Sequence, residues 1–316
     1  MEKHSTQTPR FFTQRIWIYS KEMFPVLIYL PYVIALYACM NFIVQALSGE
    51  PLLIDQSFLV GIISAFFMML QMRTFDDLKD IDLDIELFPH RATARKQVLK
   101  SDIVAISTVS FLVVLNVNIF FGQPTLPVYA LMISYCLLTF KWFFAEQFHR
   151  KHIFITMLDH QPIPYAINFF LIHTALLSGL NYESFGLKHL MLLLVISLPV
   201  TAWEISRKVR SKDMETAYET FSMVIGMRLS TFLPLLFLLV AVGLSSYLGT
   251  FLEFGMNFQA VNGLIIAYLL FFYLRFLIYP KKEFNTLTNN ALVSTTAMFF
   301  NLLIHVLIQF EIHMQL

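Results

Sequence analysis

Apolar residues gather along this chain in long blocks, not in the alternating or one-sided patterns of soluble strands and helices. Nine blocks stand out, at 24–47, 57–72, 103–121, 126–144, 153–177, 190–203, 229–248, 260–278 and 291–308. A helix crossing the hydrocarbon core of a bilayer needs about 20 mostly apolar residues. Each block is therefore expected to be one membrane span with soft edges. The second and sixth are short because they run into polar loops. The fifth is interrupted by Asp159, His160, Gln161, Pro162 and Pro164. Such groups are tolerated in a span where protein or a water-filled cavity satisfies the freed backbone. The expected fold is all-α: a polytopic membrane protein of about nine transmembrane helices, one domain over 1–316, with 1–22 as a polar N-terminal segment.

Composition agrees with this picture. Hydrophobic residues make up 57% of the chain and charged residues 14%, against about 25% charged in a soluble domain. The net charge of +1 offers no argument for nucleic acid or an acidic partner. Cys39 and Cys136 both lie in apolar blocks and read as small buried side chains, not as a disulfide or metal pair. The first 21 residues lack the apolar core of a cleaved signal peptide.

Charge also sets an orientation. Every one of the 22 basic residues except Lys188 falls in the N-terminal segment or in the loops after spans two, four, six and eight. The positive-inside rule places those segments, and the N-terminus, in the cytoplasm. The opposite loops are too short to form a soluble domain. Two long polar loops, after spans two and six, sit four spans apart and suggest two pseudo-equivalent halves.

The first of these loops begins where span two ends, as QMRTFDDLKDIDLDIELFPHR. Asp76, Asp77, Asp80, Asp82, Asp84 and Glu86 place six carboxylates in eleven residues. On a helix, Asp77, Asp80 and Asp84 share one face, and Asp76 lies one turn before Asp80. Clustered carboxylates repel and raise one another's pKa. A divalent cation relieves that cost, and Mg2+ is usually held by one or two carboxylates, waters and substrate phosphates. The spacing suits a metal-bridged diphosphate, with Arg73, Lys79 and Arg91 placed to hold phosphate oxygens. The plain alternative is a solvated acidic face neutralised by its basic neighbours. Ionisable residues at the end of a membrane span favour the functional reading.

The stretch DDLKDIDLD resembles the first aspartate-rich motif of the UbiA superfamily of intramembrane prenyltransferases, usually Asn-Asp-x-x-Asp-x-x-x-Asp. Asp76 stands at the Asn place, and Asp77, Asp80 and Asp84 at the three Asp places. Pro89-His90-Arg91 resembles the Arg/Pro-containing stretch that follows the motif. Nine spans, with polar loops after the second and sixth, match as well, so the resemblance covers nearly the whole chain. The start Tyr19-Ser20-Lys21-Glu22-Met23-Phe24-Pro25 is similar to that of a bacterial branch of the superfamily. The resemblance implies a bacterial inner (cytoplasmic) membrane and an active site facing the cytoplasm.

The loop after span six reads WEISRKVRSKDMETAYETFS. The superfamily has a second motif here, roughly Asp-x-x-x-Asp, and this chain departs from it. It offers Glu204, Asp213, Glu215 and Glu219 together with Arg207, Lys208, Arg210 and Lys212. Glu204 and Glu215 are the candidate metal ligands from this loop. More bases and fewer acids favour direct phosphate contacts by Arg207 and Lys208. The bland reading is a positive-inside loop, with Glu204 and Lys208 paired one turn apart. Lys141, at the end of span four, resembles a superfamily lysine that faces the diphosphate; snorkelling to the headgroups is its alternative. Asp159 and His160 could line a cavity or act as a base, or form a satisfied edge pair. His173 and His305 read as structural.

The resemblance implies a Mg2+-dependent prenyltransferase. It would transfer an isoprenyl group from an isoprenyl diphosphate to a small or lipid acceptor, with membrane lipid around it. Asp77, Asp80 and Lys141 would be its catalytic groups; Asp76, Asp77, Asp80, Asp84, Glu204 and Glu215 its metal ligands; Arg73, Lys79, Arg91, Lys141, Arg207 and Lys208 its diphosphate contacts. A terpene cyclase of the same fold, or a non-catalytic lipid-binding protein or transporter, are the competing readings. The sequence names neither the acceptor, the donor chain length nor the oligomeric state.

Overall fold

The computed structural model describes residues 11–79, 81–82, 85, 88–177, 184–215 and 220–315. The chain divides into two compact units, Met1–Tyr37 with Leu59–Phe140, and Ala38–Phe58 with Lys141–Leu316.

The first unit holds α1 (Phe12–Glu22), the start of α2 (Val26–Leu47), most of α3 (Gln56–Lys79), α4 (Lys100–Phe121) and α5 (Leu126–Phe140). α1 stops because Pro25 has no N–H and pushes Phe24 out of helical backbone. The N–H groups of Met23 and Phe24 close on the Tyr19 carbonyl at 2.9 Å each. Helices α3 and α4 are joined by buried polar pairs. Asn118 donates to Ser64 at 3.0 Å and Gln71 to Ser107 at 3.2 Å. In an apolar surround, such bonds replace the hydrophobic force as the glue between helices. A Cβ at Gly61 would collide with the Tyr37 ring, so glycine is required for this approach of α3 to α2. Beneath α1 lies an apolar cluster of Tyr19, Met23, Phe24, Ile81, Ala92, Val98 and Ile103.

The second unit holds the rest of α2, strand β1 (Leu52–Asp55), and then α6 (Glu146–Lys151), α7 (Ile153–His160), α8 (Pro162–Ala175), α9 (Leu187–Ser206), α10 (Phe221–Val224), α11 (Met227–Phe251), α12 (Met256–Ile278), α13 (Leu287–Gln309) and β2 (Ile312–Gln315). α9 packs against α8, α11 and α13 and is the most enclosed of the long helices. A polar chain ties α11 to α13. Asn301 donates to Asn262 at 3.0 Å, and Asn262 donates to Ser246 at 2.9 Å. β1 and β2 pair in parallel, Leu52 opposite Ile312.

Among the described residues, seven helices are long and apolar enough to cross a membrane. They coincide with seven of the nine expected spans. The other two differ. The fourth span ends as the 15-residue α5, about 22 Å long at 1.5 Å per residue, short of a hydrocarbon core of about 30 Å. The chain leaves it through Trp142, Phe143 and Phe144, all left-handed, with φ of 51°, 48° and 60°. The fifth span is two helices, α7 and α8, broken at Gln161. Pro162 sits in the first turn of α8, where its missing N–H costs nothing.

Candidate functional site

The centre of the first acidic motif is Asp77, in the last turn of α3 and 3% exposed. Its Oδ2 accepts a 2.8 Å hydrogen bond from the Tyr19 hydroxyl. Its Oδ1 lies 2.7 Å from Nη2 of Arg73, one turn earlier on the same helix. Burial first, then the charge of Asp77, pushes the Tyr19 phenol pKa up. The phenol therefore remains protonated and donates. Arg73 is not spent on this contact: its Nε is buried without a hydrogen-bond partner among the described residues. An unmade bond to a buried donor costs about 1–3 kcal/mol.

The helical turn separates the neighbours of Asp77. Asp76 is exposed. Lys79 donates to the Thr139 carbonyl at 3.2 Å, in the last turn of α5, where a cation complements the helix dipole. Arg91 lies over the Phe88 ring, 4.4 Å from its centre. Asp80 and Asp84, the other acids of the expected face, lie outside the described residues, as do Glu86 and Glu219.

Mg2+ is the cofactor this motif implies, and it takes hard oxygen donors. Asp77 and Asp76 are of that kind. The donor chemistry fits. Among the described residues, no three His, Cys, Asp or Glu side chains gather as a metal-binding group.

In the second unit, Glu204 pairs with Arg207 at 2.7 Å, three residues on, and not with Lys208 as the helical spacing had suggested. Arg207 also lies over the Trp203 ring. The Lys208 ammonium covers the Phe221 ring, 5.4 Å from its centre. Burial holds the Lys208 pKa below the usual lysine range, Arg207 adds to that, and Glu204 opposes it. Glu215 is exposed, just after the short turn Lys212–Met214. Lys141 is exposed where the chain leaves α5.

Asp159 Oδ2 lies 3.3 Å from Nδ1 of His149. His160 turns its Nδ1 to the Thr156 carbonyl at 2.6 Å. His173 and His305 bond backbone carbonyls one turn back, at 3.0 and 2.9 Å, as structural residues do. Cys39 and Cys136 are buried and free. Sequence reasoning missed two groups beside the motif, Tyr19 and the Arg15–Asp102 pair. Tyr19 falls within the start shared with the bacterial branch, but nothing in the sequence aims it at Asp77.

No protein-family model matches the chain, and no curated protein matches it. Solved structures do. One is a digeranylgeranylglyceryl phosphate synthase in membranes, with a TM-score of 0.67 at 16% identity, covering 92% of this chain and 98% of that one. Another is a UbiA homolog from Aeropyrum pernix K1, with a TM-score of 0.61 at 12% identity, covering 86% of this chain and 98% of that one. At such identities the likeness is one of fold, and the fold of this chain is that of the UbiA-type intramembrane proteins its first acidic motif resembles.

Proposed function

We propose that the chain is a Mg2+-dependent intramembrane prenyltransferase, which alkylates an acceptor with an isoprenyl group and releases diphosphate. The observation that carries the reading is Asp77: a buried carboxylate in the last turn of a membrane helix, with a guanidinium 2.7 Å away on the same helix. That pairing of oxygen donor and phosphate-binding cation is what a metal-bridged diphosphate requires. The fold shared with a digeranylgeranylglyceryl phosphate synthase supports it.

In this reading Asp76, Asp77, Asp80 and Asp84 hold Mg2+ in the first unit. When bound, the metal would offset the charge that develops on the departing diphosphate. Arg73, Lys79 and Arg91 are assigned to phosphate oxygens. In the second unit, Arg207, Lys208 and Lys141 are assigned to phosphate oxygens by their chemistry, and Glu204 and Glu215 to metal. Apolar walls would keep water from the reacting carbon. The N-terminus and the active site are assigned to the cytoplasmic side on the distribution of basic residues.

A second reading is favoured by one observation. Glu204 is engaged by Arg207, and the loop carries no Asp-x-x-x-Asp pair, only glutamates at that spacing, Glu215 and Glu219. A protein with this loop could bind an isoprenyl lipid without turning it over. Diphosphate release separates the two. The purified protein in lipid is supplied with a panel of isoprenyl diphosphates and a membrane lipid extract, with and without Mg2+. Mg2+-dependent release supports the enzyme. No release with any donor from folded protein sinks it.

A further inference from the structure

Helix α1 carries Arg15, Tyr19 and Glu22 at positions i, i+4 and i+7, hence on one face. Each meets a charged group from a different stretch of the same unit. Arg15 forks onto Asp102 in the first turn of α4, at 2.7 and 2.9 Å. Tyr19 reaches Asp77 in the last turn of α3. Glu22 receives Arg95 from the connecting loop. The apolar cluster of Met23, Phe24, Ile81 and Ile103 lies under the same helix. α1 is thus fastened at three points to the segments that carry and follow the acidic motif.

A carboxylate on a short side chain turns easily, because its terminal torsion is broad. Here both oxygens of Asp77 are engaged from two elements, Oδ1 by Arg73 on α3 and Oδ2 by Tyr19 on α1. Partners of this kind aim a metal-binding carboxylate before the metal arrives, and losing one typically costs about 10- to 100-fold in metal affinity. We propose that Tyr19 is a positioning residue for Asp77, and that α1 is the clasp that holds it there. The inference rests on the reading of Asp77 as a metal ligand.

Mn2+ titration followed by electron paramagnetic resonance tests it, using the full chain in detergent with inorganic diphosphate. The variants are Tyr19→Phe, which keeps the ring in its cluster, and Tyr268→Phe. The latter loses a hydroxyl bonded to Asn290 at 2.9 Å, in the second unit. Thermal unfolding is measured for both. The expected result is saturable Mn2+ binding by wild type, a loss of about 10-fold in Tyr19→Phe, and none in Tyr268→Phe. Equal affinity in wild type and Tyr19→Phe overturns the role of Tyr19 and leaves the metal reading standing. An equal loss in both variants also overturns it, since the effect is then general loosening. Absence of Mn2+ binding by folded wild type overturns the metal reading, and this inference with it.

Discussion

Arg15 and Asp102 lie 87 positions apart and lock together through two parallel contacts, Nε to Oδ2 at 2.7 Å and Nη2 to Oδ1 at 2.9 Å. Asp102 also accepts the Leu99 N–H at 2.8 Å, which closes the first turn of α4. One carboxylate thus caps a helix and anchors α1. Asp102→Asn should lower the unfolding temperature more than Arg15→Gln does, because it weakens both roles. In a double-mutant cycle the two effects should fall short of adding. Strict additivity would show that the fork is not coupled in solution.

Asp77→Asn keeps the shape of the side chain and removes its charge. Release of diphosphate should fall at least about 100-fold, the scale of losing one charged stabiliser of a transition state. Unfolding should remain cooperative. Wild-type turnover in this variant would remove Asp77 from the proposed site.

The Lys208 ammonium is held below the usual lysine range by burial. A phosphate contact needs the protonated form, which is lost as pH rises through the lowered pKa. Diphosphate affinity should therefore weaken on raising pH sooner than an ordinary lysine would allow. Lys208→Arg, whose guanidinium stays charged, should flatten that decline. A profile unchanged by the substitution would place the titrating group elsewhere.

Gly61→Ala sets a methyl group into the Tyr37 ring. Overpacking of this kind costs about 1–3 kcal/mol. Tyr37→Leu in the same chain should recover part of the loss, measured by thermal unfolding in detergent. No loss on Gly61→Ala would mean that α2 and α3 separate freely at this point.

Removing residues 311–316 deletes β2 and with it the partner of Leu52–Asp55. Leu52 and Leu53 are buried, and the side chain of Gln45 clamps Leu53 through both its N–H and its carbonyl. Amide exchange at Leu52–Asp55 should speed up in the truncated chain while α9 stays protected. Unchanged exchange would show that Gln45 alone holds the strand.

Much of this architecture was legible in the sequence for a simple reason. A bilayer demands long apolar helices and penalises everything else, so hydropathy alone locates most of them. Seven expected spans are long helices among the described residues. The break in the fifth was announced by its prolines. The acidic motif was likewise readable at the end of the second span, where Asp76 and Asp77 fall in the last turn of α3. It led to the fold that the solved structures share.

What only the tertiary structure decided are the choices between partners. Glu204 had bases at both three and four residues and took Arg207, leaving Lys208 over Phe221. Asp159 came within 3.3 Å of His149, ten positions back in the chain. α5 ended early because three aromatic residues turned left-handed, which no apolar pattern announces. Tyr19 met Asp77 across 58 positions because Pro25 ended α1 and the chain turned into α2. Hydropathy records how each residue meets solvent or lipid. A hydrogen bond between distant side chains depends on where two backbones lie, and that is set by the packing of the whole unit.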